Sequence, residues 1–263
     1  MNNLEIRLAE SETELTALQA LRYQVFYREM GARAEGRVKL AELDFDAYDD
    51  YCDHLVIVDR ARSAPGKPFV AGCARLLPGE VAEECGGFYS ESEYEMQPFL
   101  ARAPQVLELG RTCVDSDYRG RGVMQLLWRG IAEYIRDHDV KYLVGCASIP
   151  GADPSQMRLP LSYLYHHHLA PNHLRTHALM ERHVEMNTIP KEAIDVKEAL
   201  RQLPPLLKGY LRLGAMVGDG AVIDYAFNTV DVNVVLETGM IADKYANHFV
   251  RSEAAVEFRD AAA

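Results

Sequence analysis

The chain has 263 residues, 48% hydrophobic and 25% charged, with a formal net charge of −11 from 28 Lys plus Arg against 39 Asp plus Glu. That length holds one large domain or two small ones with a buried core. Without a dense Lys/Arg run, the acidic balance argues against a nucleic-acid partner. The five cysteines (Cys52, Cys73, Cys85, Cys113 and Cys146) contain no Cys-x-x-Cys pair, which argues against a disulfide framework and a cysteine zinc site.

The opening "MNNLEIRLAE" has no apolar core behind basic residues and is not read as a signal peptide. No later apolar run approaches the ~18 residues of a membrane span. The expectation is a cytoplasmic protein, with at most peripheral contact at the inner membrane. Leu15, Leu18, Leu21, Val25 and Phe26 recur at three- and four-residue spacing, predicting an amphipathic helix over 13–30 that Gly31 stops. Residues 31–50 are polar and acidic and read as a loop. "HLVIVDR" (54–60) and "PFVAGCARLL" (68–77) read as strands around the turn-forming "SAPGKP".

"VLELGRTCV" (106–114) predicts a further strand. Val123, Leu127, Ile131, Tyr134 and Ile135 then share one face of a helix over 123–137, and "KYLVGCAS" (141–148) is a buried strand. Strand, helix and strand in that order make an α/β unit. Residues 154–204 are helical in places and least legible. A helix is predicted at 203–214, and "AVIDYAF" and "TVDVNVVLE", separated by Asn228, read as a hairpin. The alanine-rich last dozen residues read as frayed.

"YRGRG" (118–122) joins the 106–114 strand to the 123–137 helix. A helix beginning there leaves its first N–H groups unpaired, and its dipole favours an anion. Glycines allow close backbone approach, and arginine forks match phosphate oxygens. The turn therefore fits a phosphate or pyrophosphate, and on motif grounds alone it fits a solvated junction equally well. No Gly-Lys-Ser/Thr follows, and the Gly-x-Gly-x-x-Gly spacing is incomplete.

Strand, then Arg-x-x-Gly-x-small, then helix resembles the acyl-donor loop of the GNAT superfamily of N-acyltransferases. The resemblance maps the pattern onto Arg119, Gly122 and Met124. It implies an α/β (α+β) GNAT-like fold, a central twisted mixed sheet flanked by helices. Residues 1–263 would form a single domain with a partly helical insertion at about 154–215. Arg119, Gly120, Arg121, Gly122, Val123 and Met124 would hold the donor's phosphopantetheine arm, with no permanently bound cofactor. Met124 departs from the usual Gly or Ala. Its bulk would crowd a coenzyme A pyrophosphate more than the single phosphodiester of a carrier-protein arm, which favours acyl carrier protein as the partner.

Arg22 and Phe26, Asp44, Asp46 and Asp49, Arg75, and Glu108 and Arg111 each read singly as surface ion-pair residues. In order, they resemble the acyl-homoserine-lactone synthases. "CASIPGADP" (146–154), "LPPLLKGYLRLGAMVGDGAVID" (203–224) and "FNTVDVNVVL" (227–236) resemble the ornithine–acyl-carrier-protein N-acyltransferases, from about Leu21 to Phe249. That resemblance implies transfer of a (3-hydroxy)acyl group to the α-amine of L-ornithine, giving lyso-ornithine lipid.

An amine of pKa ~8 or above needs a base. Glu108 is the candidate, and Leu109, Gly110 and Arg111 on a bulge would offer N–H groups to the thioester carbonyl. Otherwise Glu108 would pair with Arg111. Asp44, Asp46 and Asp49 would line the pocket for the cationic acceptor, with Arg22 or Arg75 taking its carboxylate and Phe26 beside them. Arg119, Arg121, Arg129, Lys208 and Arg212 would form the basic face for an acidic carrier protein. Cys113 is disfavoured as a nucleophile, with no histidine near it in sequence. His173 and His177 have i, i+4 spacing on any helix but no completing ligands, so no metal is expected. "PPLLKGYLRLG" suits a core helix better than one lying on a membrane. The competing functions are an N-acyl amino acid synthase with another acceptor and a non-catalytic carrier-protein or lipid-binding module.

Overall fold

The computed structural model describes residues 3–120 and 122–239. Arg121 and the alanine-rich end lie outside the described residues. The named elements are β1 (Leu4–Leu8), α1 (Glu12–Tyr23), β2 (Asp53–Asp59), β3 (Val70–Pro78), β4 (Val106–Val114), α2 (Val123–Asp137), β5 (Tyr142–Pro150), α3 (Arg158–His168), α4 (Val196–Gln202), α5 (Pro205–Leu213), β6 (Ala221–Asp224) and β7 (Thr229–Glu237). Among the described residues these strands lie in a nine-stranded sheet ordered β1-β2-β3-β4-β5-β7-β6, with His183–Val184 beyond β6 and Met216–Val217 paired to β7.

Ser11 starts α1, its side chain accepting from the Glu14 N–H, a cap worth about 1 kcal/mol. The predicted helix then changes pitch. Gln24–Glu29 forms a π-turn that closes with Met30 N–H on Val25 O, before Gly31 turns out at φ +83. Such a turn widens the helix, and here it lies beside Phe26 on the cavity described below. The expected loop at 31–50 holds a short helix, Gly36–Ala41, and a single turn, Ala47–Asp50. The sequence reading places no strand before residue 54, yet β1 pairs antiparallel with β2.

Alternation along β2 sorts the core. Leu55 and Ile57 pack in the cluster with Val123, Leu127 and Ile131 of α2. Val56 and Val58 pack with Leu18 and Leu21 of α1. A strand buried on both faces thus becomes an apolar run between two helices. The hairpin of β6 and β7 forms as expected. Its turn is longer than the single Asn228 the sequence suggests: the first strand ends at Asp224, which accepts from Ala226 and Phe227 N–H, and Asn228 closes the turn at φ +56.

One junction shapes the site. Within this sheet the described neighbours are antiparallel except β4 and β5, which are parallel and pair only over Val106–Glu108 and Tyr142–Val144. Beyond those three residues β4 stays with β3 and β5 stays with β7, so the two strands splay apart. Gly145 lies at the apex with φ +153, where a Cβ would come within 2.3 Å of Leu109 O. Only glycine lets the two backbones approach this closely before they part.

Candidate active site

The splay opens into a cavity of about 710 Å³. Its wall includes Arg119, Gly120, Gly122 and Met124 at one part, Leu109–Thr112 of β4, Trp128 of α2, and Leu206, Gly209 and Tyr210 of α5. Glycine at 120 and 122 has φ +76 and +79, and Gly122 occupies the N-cap of α2 with no side chain capping that end. The first N–H groups of a 15-residue helix are therefore left for an anion. Val123 is buried, with a γ-methyl within 3.2 Å of where a Cβ on Gly72 would lie. Its role is to seat the turn on the sheet. Gly120 is exposed, Met124 is half-buried and both line the cavity. Arg119 donates to Val114 O and pairs with Glu29.

The front-half residues converge. Arg22, wholly buried, reaches Asp44 Oδ2 at 2.7 Å and Asp49 Oδ1 at 3.0 Å. Arg75 holds Asp46 at 2.6 Å and Asp49 at 2.9 Å. Arg111 holds Asp44 at 3.2 Å and Asp46 at 3.1 Å. Three arginines thus interlock with three aspartates, and the charges cancel. Burial works to raise the Asp44 and Asp49 pKa values. The guanidinium groups of Arg111 and Arg22 at Asp44, and of Arg22 and Arg75 at Asp49, outweigh it and hold both below the ordinary carboxylate value. Phe26 lines the cavity edge-on to Phe227, 5.9 Å away. The carboxylates assigned from sequence to a cationic acceptor are therefore already engaged by this chain's own cations.

Glu108 and Arg111 do not pair, although both line the cavity. Glu108 accepts from Tyr89 N–H at 2.7 Å, from Ser90 N–H at 2.8 Å and from the Ser90 hydroxyl. Burial raises its pKa, and the Ser90 and Tyr89 donors oppose that rise. Between Cys73–Cys113 and Arg75–Gly110 the register with β3 slips, so Arg111 and Thr112 face Ala74 alone. The bulge anticipated at Gly110 places its left-handed residue at Arg111, φ +48, an uncommon conformation for a non-glycine residue. Gly110 itself needs no such freedom, since a Cβ there would meet only Arg75 Nε at 3.9 Å.

Cys113 is buried with its sulphur 3.6 Å from that of Cys73. The hydrogen bond with Cys73 and burial push its pKa well above the usual thiol value, which is unsuited to a nucleophile. His173 and His177 share no helix: α3 ends at His168, and His177 begins the short strand His177–Ala178. Of the expected basic face, Arg129 is exposed and paired with Glu133. The α5 helix buries Leu207 and Tyr210, the latter edge-on to Trp128 at 5.1 Å.

Sequence reasoning missed a second acidic group on the same cavity: Glu93, Asp224 and Asp231. Their carboxylate oxygens lie within 4.8 Å of one another. Burial, reinforced by Asp231, pushes Glu93 up to about 7. Burial likewise pushes Asp231 up to about 6. The available signal was Asp231 itself, a lone charge inside the apolar run "TVDVNVVL". Glu93 lies in an unremarkable polar stretch, "SESEYE", that flags nothing.

A family model for the acetyltransferase (GNAT) domain matches residues 21–129. The L-ornithine N(alpha)-acyltransferase of Brucella abortus (strain 2308) is 44% identical over 251 residues, which are 95% of this chain and 89% of that protein. The enzyme of the same name from Rhodobacter capsulatus is 40% identical over 247 residues, 94% of this chain and 95% of that protein. A CoA-dependent acyl-homoserine lactone synthase, BjaI, solved with SAM and isopentyl-CoA, has a TM-score of 0.52 at 14% identity, covering 92% of this chain and 89% of its own. That likeness is one of fold. Among the described residues no helix is long and apolar enough to cross a membrane. The chain belongs to the L-ornithine N(alpha)-acyltransferase family, built on a GNAT fold.

Proposed function

We propose that this protein transfers a (3-hydroxy)acyl group from acyl carrier protein to the α-amine of L-ornithine, forming lyso-ornithine lipid. The observation that carries the reading is the single cavity joining the uncapped N-terminus of α2 to the bulge of β4. An anion at the helix end and a carbonyl at the bulge are the two features of a phosphopantetheine thioester. The apolar wall of Trp128, Leu206 and Tyr210 suits its fatty chain.

In this reading the turn at 119–124 receives the single phosphodiester, and Met124 leaves less room for the pyrophosphate of coenzyme A. The neutral α-amine attacks the thioester carbonyl carbon, and N–H groups of the bulge around Leu109, Gly110 and Arg111 stabilise the oxyanion. The tetrahedral species collapses to an amide and expels the thiolate. The ammonium proton passes to Glu108, directly or through the Ser90 hydroxyl bonded to it. The interlocked Arg22, Arg75, Arg111, Asp44, Asp46 and Asp49 hold β4 and the α1 segment in register around the cavity. Arg119, Lys208 and the helix face around them offer the contact for an acidic carrier protein, and peripheral membrane contact would release the product.

The test incubates purified protein with 3-hydroxyacyl carrier protein or 3-hydroxyacyl coenzyme A and each amino acid, with mass spectrometry of the amide. Ornithine amide from the carrier-protein donor is the expected product. Amide from a different amino acid moves the acceptor, amide only with coenzyme A overturns the donor, and donor binding without any amide overturns catalysis.

A further inference from the structure

We infer that Glu93, Asp224 and Asp231 form the subsite for the side-chain ammonium of the acceptor. This rests on the acceptor being a diamino acid, as proposed above. The cavity's other charges leave that task open. The six-residue Asp–Arg network balances itself, Glu29 is taken by Arg119, and Glu108 is satisfied by three donors. What remains is a concentration of negative charge at the three carboxylates. Among the described residues Glu93 pairs with the half-exposed Arg182, 3.4 Å away, and Asp231 feels Arg111 only electrostatically.

One buried acceptor oxygen points to a missing donor. Asp231 is 6% exposed and its Oδ1 has no hydrogen-bond partner. The hydroxyls of Thr229, two residues earlier on β7, and of Ser148 lower the Asp231 pKa without offsetting its burial. All three residues line the cavity. Leaving such an oxygen unpaired is costly, and a ligand that supplies a donor recovers that cost. An ammonium has three N–H donors and no acceptor. Three carboxylate oxygens separated by up to 4.8 Å can each lie about 2.8 Å from a single nitrogen, an ordinary charge-assisted length.

The position also suits the chemistry. Asp231 lies on β7 opposite Ser148 of β5, on the far bank of the splay from Glu108 and Arg111. Cys146 links the two banks, with its sulphur 3.4 Å from Glu93 Oε2 and 3.5 Å from the Ser90 hydroxyl that holds Glu108. One end of a diamino acid would thus be anchored by charge while its α-amine faces the thioester. Burial keeps Glu93 partly protonated near neutral pH, and an arriving ammonium would draw it to the charged form.

The test compares L-ornithine with L-norvaline, which has the same chain without the terminal amine. Initial rates with acyl carrier protein are taken for wild type, Asp231→Asn and Asp224→Asn. In Asp231→Asn the expected result is a KM for ornithine raised about tenfold or more, a carrier-protein KM within about twofold, and a fall of about tenfold in the ornithine-to-norvaline ratio of kcat/KM. Asp224→Asn keeps its turn-capping oxygen and should move the ratio the same way by less. Because the ratio is internal to each preparation, a partly unfolded variant cannot imitate the effect. If wild type acylates ornithine while both variants keep the wild-type ratio, the subsite is overturned and the function stands. If wild type prefers norvaline, the ornithine reading itself falls. Loss of wild-type ornithine activity in EDTA would assign the three carboxylates to a divalent ion and overturn the inference.

Discussion

Replacing Glu93 with Gln should remove a pH-dependent weakness from the native state. Glu93 is 5% exposed, and burial with Asp231 beside it moves its pKa from the ordinary 4.5 to about 7. The unfolded chain gives up this proton near pH 4.5 and the folded chain near pH 7. The residue's contribution is therefore complete below about pH 4.5, is lost progressively between those values, and stays lost above them. At ~1.4 kcal/mol for each pH unit of displacement, the loss is about 3 kcal/mol. Gln cannot ionise, so the stability difference between Glu93→Gln and wild type should grow by about 3 kcal/mol in the variant's favour between about pH 4.5 and pH 8. Urea unfolding at the two pH values reads this as a relative midpoint shift of about 1 M. The pair with the partly exposed Arg182 exists only for the ionised carboxylate, and its effect is already contained in the value of about 7, so it adds no separate contribution. A stability difference independent of pH would refute the reasoning, because it would mean that Glu93 ionises as freely in the fold as in the unfolded chain.

Gly145→Ala puts a methyl where Leu109 O already stands, 2.3 Å away, at a φ that alanine resists. It should cost about 3 kcal/mol or more in urea unfolding and should lower kcat, because the splay beside Glu108 moves; an unchanged midpoint would sink the apex argument. Arg22→Met leaves Asp44 and Asp49 short of a buried partner and should destabilise by about 3–5 kcal/mol, read from thermal or urea unfolding. Met124→Gly should raise kcat/KM for acyl coenzyme A relative to acyl carrier protein, and an unchanged donor ratio would show that bulk at this position does not select the donor. Glu108→Gln should lower kcat about 10²–10⁴-fold with little change in donor binding. Binding and kcat both unaltered would leave Glu108 as only an anchor for the Tyr89–Ser90 turn.

The helix at 123–137, the strands at 54–60 and 106–114, and the glycine turn between strand and helix were legible because each depends on local spacing. Apolar residues repeat every three to four positions along α2, and Gly120 and Gly122 permit positive φ. The family resemblance was likewise carried by contiguous strings. Partners were not legible. Asp44, Asp46 and Asp49 look like an acidic lining until the register of β3 and β4 and the path of α1 bring Arg75, Arg111 and Arg22 onto them. The bulge at Arg111 depends on which residue of β3 lies opposite, which spacing along one strand cannot state. Glu93 and Asp231 are 138 positions apart in the numbering and meet only because β7 completes the sheet alongside β5. Sequence by itself determined the strongly periodic segments, such as α2 and β2, because their spacing is settled within a few residues, but not β1 or the Gly36–Ala41 helix. Which charges are cancelled and which are left facing the cavity was decided by tertiary structure, because electrostatic energy depends on distance and burial rather than on order along the chain.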